Sequence, residues 1–281
     1  GVELSGAIKE IAGQTLPSDY HNIDTKATRV ILFEGADRLL LAFPEELSER
    51  ARRDLEQLGV EVRLNAMVED VTDRGLRVGD EFIETRTVFW AAGVRASRLG
   101  ASLGTETDKA GRVIVGHDLC IPGHPEVFVI GDMASRTPDG QDRPVPGVAQ
   151  AAMQMGRYAG ETIAREIAGR CTPADRRPFM YKDKGSMAII GKNRAVAAIG
   201  ERRFTGFVAW FLWAVVHIAF LVGFRNRIRV LFDWGVKWLM NNHDARLIVG
   251  DTDLRVRKPV GKGYTPDADR DGGHPAGNTG G

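Results

Sequence analysis

Two acidic residues stand where short apolar runs end. Glu34 closes "RVILFE", and Asp132 follows the run Val127 to Ile130 in "HPEVFVIGDMA". Short apolar, β-branched runs of this kind predict buried strands. A carboxylate just past such a strand lies at the edge where doubly wound α/β folds bind ligands. Upstream, "GVELSGAIKE" passes from a glycine straight into helical apolar spacing. If Gly1 is the last glycine of a dinucleotide-binding turn, a pyrophosphate rests on the N-terminus of that helix and Glu34 holds a pair of ribose hydroxyls. Gly1 and Glu34 are 33 residues apart, against a usual spacing of about twenty. The polar stretch "GQTLPSDYHNIDTKAT" can absorb the excess as an insertion. The same residues also suit a helix start with a packing glycine and a surface acid, and Asp132 alone suits a turn.

Other side chains could serve the same chemistry. Gln150 and Gln154 are four apart, so on a helix they share one face. Neutral amides there can bond a ring edge or a carbonyl without fixing a charge; surface glutamines are the plainer reading. Lys184, in "DKGSMA", can stabilise a developing anion, or it is an ordinary turn lysine. Glu3 falls in a first helical turn, where the helix dipole favours a carboxylate in any case. Ala91, Ala92 and Gly93 end the apolar run "VFWAAGV", leaving room for a ligand or simply packing a strand end. The sequence shows no nucleophile–histidine–acid set and no metal-ligand spacing. Cys120 and Cys171 are far apart and form no CxxC, which points to a reducing compartment. Charge is balanced, 38 basic against 37 acidic residues, which argues against a nucleic-acid partner.

These residues need elements to hold them. Residues 1–95 alternate helix and strand, with a charged amphipathic helix over Glu45 to Leu58 stopped by Gly59. Such alternation predicts a doubly wound sheet. "VEVRLNAMVEDVT" reads as a strand, and "GLRVGDEFIETRTVFWAAG" as a hairpin or meander ending on an apolar strand. Residues 96–204 hold the Asp132 strand, a helix from about Val148 and a short β meander over 174–204. Four of the five tryptophans (210, 213, 234 and 238) fall in the region 205–250. There, Gly206 to Phe224 carries no Asp, Glu, Lys or Arg over nineteen residues, just enough to span a bilayer core. The following segment alternates Arg225, Arg227, Arg229 and Lys237 with apolar residues, a pattern suited to a membrane interface. His217 inside the apolar block is expected to pack rather than ligate. A buried helix pair, a single span at 206–224 and in-plane attachment all compete; the reading adopted is in-plane attachment. The tail 251–281 lacks apolar residues to bury and is expected to be disordered.

The order "GVELSGAIKE", "VILFEGADRLL", "VFWAAGV", "VFVIGDMA", "GVAQAAMQMG", "YKDKGSMAIIGK" and the Trp-rich block resembles the type II NADH dehydrogenases over about residues 1–250. These are flavin-dependent NADH:quinone oxidoreductases that pump no protons. The resemblance implies a partial, Rossmann-like two-dinucleotide flavoprotein fold followed by C-terminal amphipathic membrane-attachment helices. It assigns 1–95 to the NADH-binding domain, 96–204 to the rest of the FAD-binding domain and the quinone-site helix, and 205–250 to membrane attachment. It implies FAD and NADH as cofactors, a quinone substrate, lipid contact on the cytoplasmic face of the cell membrane, and a homodimer. Gly1 and Glu34 match the last glycine and ribose acid of the NADH motif. Glu3 matches an acid close to the nicotinamide, and Ala92 with Gly93 the small residues beside NADH. Gly131 and Asp132 match the pair on the flavin's ribityl chain. Ala149, Gln150 and Gln154 match a segment near the isoalloxazine and quinone, and Lys184 a lysine by the same pocket. An acid at Glu34 favours NADH over NADPH, with Arg38 nearby as the residue that could reverse it.

The family places an FAD-binding βαβ unit before the NADH domain, so the expectation is that this unit and one strand stood in front of Gly1. Two other readings stay open. One is a non-catalytic nucleotide-binding or membrane-bound module. The other is a related flavoprotein disulfide or sulfide oxidoreductase, which would need a redox cysteine pair.

Overall fold

A computed structural model describes residues 1–221 and 223–240. The disordered tail expected at 251–281, and the attachment region from 241 onward, lie outside the described residues. Chain order begins with α1 (Val2–Glu10), which continues through a π-turn at Ile11–Thr15 into the short α2 (Leu16–Asp19). Much of the polar insertion is therefore helical. Next come β1 (Val30–Phe33), α3 (Glu45–Leu58) and β2 (Val60–Arg63). β1 and β2 pair in parallel, Val30 opposite Val60, with α3 as the crossover. Sequence dictates α3: Glu45 and Glu46 complement the dipole in its first turn, and Gly59 ends it in the left-handed region at φ 91°. Leu47, Ala51 and Leu55, at helical spacing, are fully buried. Each leucine contributes about 1.5–3 kcal/mol by burial.

The run expected as one strand from Val60 splits at Asn65, which adopts φ 53°. Beyond it, β3 (Asp70–Val71), β4 (Gly75–Val78) and β5 (Glu81–Glu84) form an antiparallel sheet. The strand predicted in "VFWAAGV" does not form. No described strand pairs with it, and Trp90 and Val94 stay 69% and 88% exposed.

After the short α4 (Leu99–Ser102), β6 (Val113–Ile114) pairs in parallel with β9 (Ala134–Ser135). Between them β7 (Cys120–Ile121) and β8 (His124–Phe128) form a hairpin. α5 (Ala149–Ile167) follows. A second core gathers Val113, Leu119, Val129, Ala151 and Met155. At its edge Arg176 is buried, donating to Glu166 at 2.6 Å and Asp118 at 2.9 Å, with its guanidinium over the Phe128 ring.

The predicted meander is present as β10 (Ser186–Gly191), β11 (Arg194–Ile199) and β12 (Arg202–Thr205), all antiparallel. Its alternation divides cleanly between two faces. Ala188, Ile190 and Val196 join the core under α1 and α3. Ala195 and Ala197 face α6 (Gly206–Phe220), where they close on Ala209. α7 (Phe224–Met240) completes the described chain.

The apolar block is not one span. α6 stops at Phe220, Leu221 turns extended (ψ 137°), and Gly223 takes φ 85°. Fifteen helical residues reach about 22 Å, short of the ~30 Å hydrocarbon core. Among the described residues no helix is long and apolar enough to cross a membrane. His217 is exposed, its Nδ1 2.7 Å from the Trp213 carbonyl and its ring against that indole.

Candidate functional site

The site grows from the start of α1. Gly1 is its N-cap, and no side chain caps the helix. A Cβ at Gly1 would meet Leu32 Cδ1 at 3.1 Å, so the helix begins hard against β1. Uncapped N–H groups there can receive a phosphate. Glu34, two residues after Leu32, is half-buried, and its Oε1 accepts from the Ala36 amide at 3.0 Å. Arg38, the residue that could have favoured NADPH, is committed elsewhere. It donates to the Phe43 and Leu41 carbonyls and to Ser48 Oγ at 2.8, 3.1 and 2.9 Å. The arrangement fits a nucleotide with a free 2′-hydroxyl.

The second acid follows Ile130. Gly131 adopts φ 66°, a backbone that favours glycine, and its N–H donates to Met155 Sδ on α5. Asp132 is exposed. Its Oδ1 lies 3.6 Å from where a Cβ on Gly147 would stand, which puts the acid at the start of α5. That helix too has no side-chain cap and no acid in its first turn, and Ala149 opens it exposed. A side-chain-free turn, an exposed acid and an uncapped helix start suit a long polar ligand with a hydroxylated arm. Ala92 and Gly93 are exposed on the unpaired segment, Gly93 at φ 102°.

Gln150 and Gln154 share one face of α5, as their spacing requires, but with partners the sequence did not predict. Gln150 accepts from Lys184 N at 3.1 Å and donates to the Gly185 carbonyl at 3.0 Å. Gln154 accepts from Lys182 N at 3.0 Å and donates to the Lys182 carbonyl at 2.9 Å. Each amide thus imitates a strand backbone and pins the Lys182–Gly185 segment to the helix. Lys184 Nζ then lies 5.5 Å from the Phe220 ring centroid on α6. Glu3, expected beside the nicotinamide, accepts at Oε1 from the Ile189 N–H on β10 at 2.9 Å.

Glu10 makes the matching contact at the far end of α1, accepting from Lys192 N at 2.7 Å. It was not singled out in the sequence. The signal was there: Glu3, Gly6 and Glu10 lie at i, i+3 and i+7, one face of a helix. Cys120 and Cys171 are both free. Burial pushes the Cys120 thiol up to about 11, the opposite of a reactive thiolate. No group of three or more metal-ligating side chains occurs among the described residues.

Residues 1–156 match the family described as pyridine nucleotide-disulphide oxidoreductase, and residues 184–243 match the NDH2 C-terminal domain. A type II NADH:quinone oxidoreductase of Mycobacterium tuberculosis is 46% identical over 248 residues, covering 85% of this chain and 52% of the relative. One from Staphylococcus haemolyticus is 32% identical, covering 77% and 53%. The chain spans about half the length of the curated relatives it matches. A solved structure of NDH2 from Plasmodium falciparum in complex with NADH superposes with a TM-score of 0.73 at 17% identity, over 84% of this chain and 63% of that one; at that identity the likeness is one of fold.

Proposed function

The chain belongs to the pyridine nucleotide-disulphide oxidoreductase family, on its type II NADH dehydrogenase branch, and we propose that the protein oxidises NADH and passes the electrons to a membrane quinone. FAD, when bound, supplies the hydride acceptance and the onward electron transfer. The rest falls to the chain's own residues. Gly1 lets the pyrophosphate approach the start of α1, and Glu34 accepts from the ribose hydroxyls. The same carboxylate repels a 2′-phosphate, with Arg38 held away by its turn. Ala92 and Gly93 leave space beside the nicotinamide end, where Glu3 supplies an acid. Gly131 and Asp132 hold the flavin's hydroxylated chain, with Ala149 giving clearance at the start of α5. Gln150 and Gln154 act as positioning residues, through the backbone they pin. Lys184 is the group whose charge stabilises a developing quinol oxyanion.

The observation that carries this reading is the double glutamine clamp. It joins the helix behind the Gly131–Asp132 pair to the segment that opens the NDH2 C-terminal domain, and it sets Lys184 against α6. α6 and α7 lie in the membrane plane on its cytoplasmic face, so an apolar quinone enters from the bilayer. A homodimer through the C-terminal elements belongs to the same reading. The test is NADH oxidation with a soluble quinone analogue. It is run on this chain with added FAD, and on this chain fused behind the upstream half of the Mycobacterium tuberculosis relative. We expect turnover in the fusion, with NADH preferred over NADPH and the preference lost in Glu34→Arg. Bound flavin with no quinone reduction in either protein would sink the assignment.

A further inference from the structure

The dinucleotide helix and the last described helix are connected through one turn. α1 lies on the open edge of β10 so closely that a Cβ on Gly6 would fall 1.8 Å from the Ile190 carbonyl oxygen. Glu3 and Glu10 fix its two ends to that edge through Ile189 N and Lys192 N. Lys192 and Asn193 form the β10–β11 turn, Asn193 at φ 61°. The same two residues hold α7. Lys192 Nζ donates to the Trp238 carbonyl at 3.2 Å, and the Trp238 indole N–H donates to Asn193 Oδ1 at 3.0 Å. Further back, α7 is steadied by the Trp234 indole stacked on Trp213 of α6, 5.6 Å between ring centroids. Its exposed flank carries Phe224, Ile228, Leu231 and Phe232.

We infer that the Glu10–Lys192–Asn193–Trp238 connection couples the nucleotide helix α1 to the engagement of α7 with a lipid surface, so that an anionic bilayer tightens NADH binding. This rests on the NADH and lipid reading above. Docking α7 fixes Trp238, and through it the turn and the C-terminal end of α1. NADH then orders less of the helix when it binds, which is positive cooperativity through conformational entropy. Linkage makes it reciprocal: NADH must tighten vesicle binding by the same factor.

The experiment measures NADH affinity of the full chain by nucleotide fluorescence, with and without phosphatidylglycerol–phosphatidylcholine vesicles. Hydrogen exchange at the Ile189 and Lys192 amides is followed in the same samples. We expect vesicles to tighten NADH about fivefold, the low end of typical couplings, and to slow both amides. In Asn193→Gly the turn keeps its left-handed backbone but loses the acceptor for Trp238. That variant should bind NADH and vesicles separately as before, with the vesicle effect on NADH below twofold. Trp238→Phe, which keeps an aromatic side chain but loses the indole N–H, should likewise bring the vesicle effect on NADH below twofold. An undiminished vesicle effect in both variants overturns the coupling. A chain that binds vesicles but never NADH, or NADH but never vesicles, overturns the underlying reading instead, and the coupling with it.

Discussion

Helices α1 and α6 rest on the same three-stranded meander by opposite means. α1 meets the β10 edge through its backbone at Gly6 and through two carboxylates that accept edge amides. α6 meets a face of the sheet at Ala209, set against Ala195 and Ala197, with Trp210, Met187 and Phe204 packed around them. Both contacts are close because both use residues with little or no side chain. The difference lies in what is turned outward. α1 buries Val2, Ser5 and Gly6, turns its two carboxylates to the strand edge and leaves only Leu4 and Ala7 as apolar residues outward, whereas α6 leaves Phe207, Phe211 and Phe220 more than half exposed. A helix that closes an unpaired strand edge must offer hydrogen-bond acceptors there. A helix laid on a sheet face needs only shape, so its outer side is free to serve another surface.

The comparison predicts its own breaking points. Gly6→Val should have the largest effect, about 3 kcal/mol of lost stability, because the new side chain meets fixed backbone rather than a movable rotamer. Denaturant unfolding would read the loss, and an unchanged midpoint would mean that α1 does not lie on β10 as described. Ala209→Leu should follow at about 2 kcal/mol by overpacking the alanine contact. It should also leave nucleotide affinity nearly intact, because α6 touches the other face.

Glu10→Ala comes next. It removes a charged acceptor from a half-buried amide, worth about 1–1.5 kcal/mol. Glu10→Gln keeps an acceptor and should recover more than half of that. If the two substitutions cost the same, the hydrogen bond to Lys192 N is not what holds this end of the helix.

Where the sequence was legible, local signals and packing agreed. Gly59 had to end α3, and Leu47, Ala51 and Leu55, at i, i+4 and i+8, had to face inward. The short apolar runs "SMAIIG" and "RAVAAI" read as a meander, and the meander forms. The acids after "VILF" and "VFVIG" read as strand-end acids; Glu34 does follow β1 directly and is half-buried, whereas Asp132 is exposed in a turn beyond the end of β8 at Phe128. What failed to read depended on partners. "VFWAAGV" has strand composition, but composition supplies no neighbour, and without a ladder the segment stays open. The nineteen-residue apolar block has the length of a span, yet Gly223 and the extended Leu221 break it. Gln150 and Gln154 had the right spacing, and their choice of backbone over ligand is set by a segment about 30 residues away. Glu10 was passed over because its partner is distant too.

The smallest effect on stability should come with the largest on location. Phe207→Ser with Phe211→Ser replaces two rings that stack on each other 6.3 Å apart and are 51% and 54% exposed. Surface changes of this kind usually move stability by within about 0.5 kcal/mol each. The pair contributes little to the contact that seats α6, since Ala209 makes that contact from the opposite side of the helix. Yet large exposed aromatic patches cost solubility and persist where another surface covers them. The double variant should therefore melt within a degree or two of the parent and lose most of its co-sedimentation with anionic vesicles. A variant that melts far lower would show that these rings belong to the fold. One that keeps its full vesicle binding would leave the membrane contact to α7 alone, where Phe224, Leu231 and Phe232 are exposed.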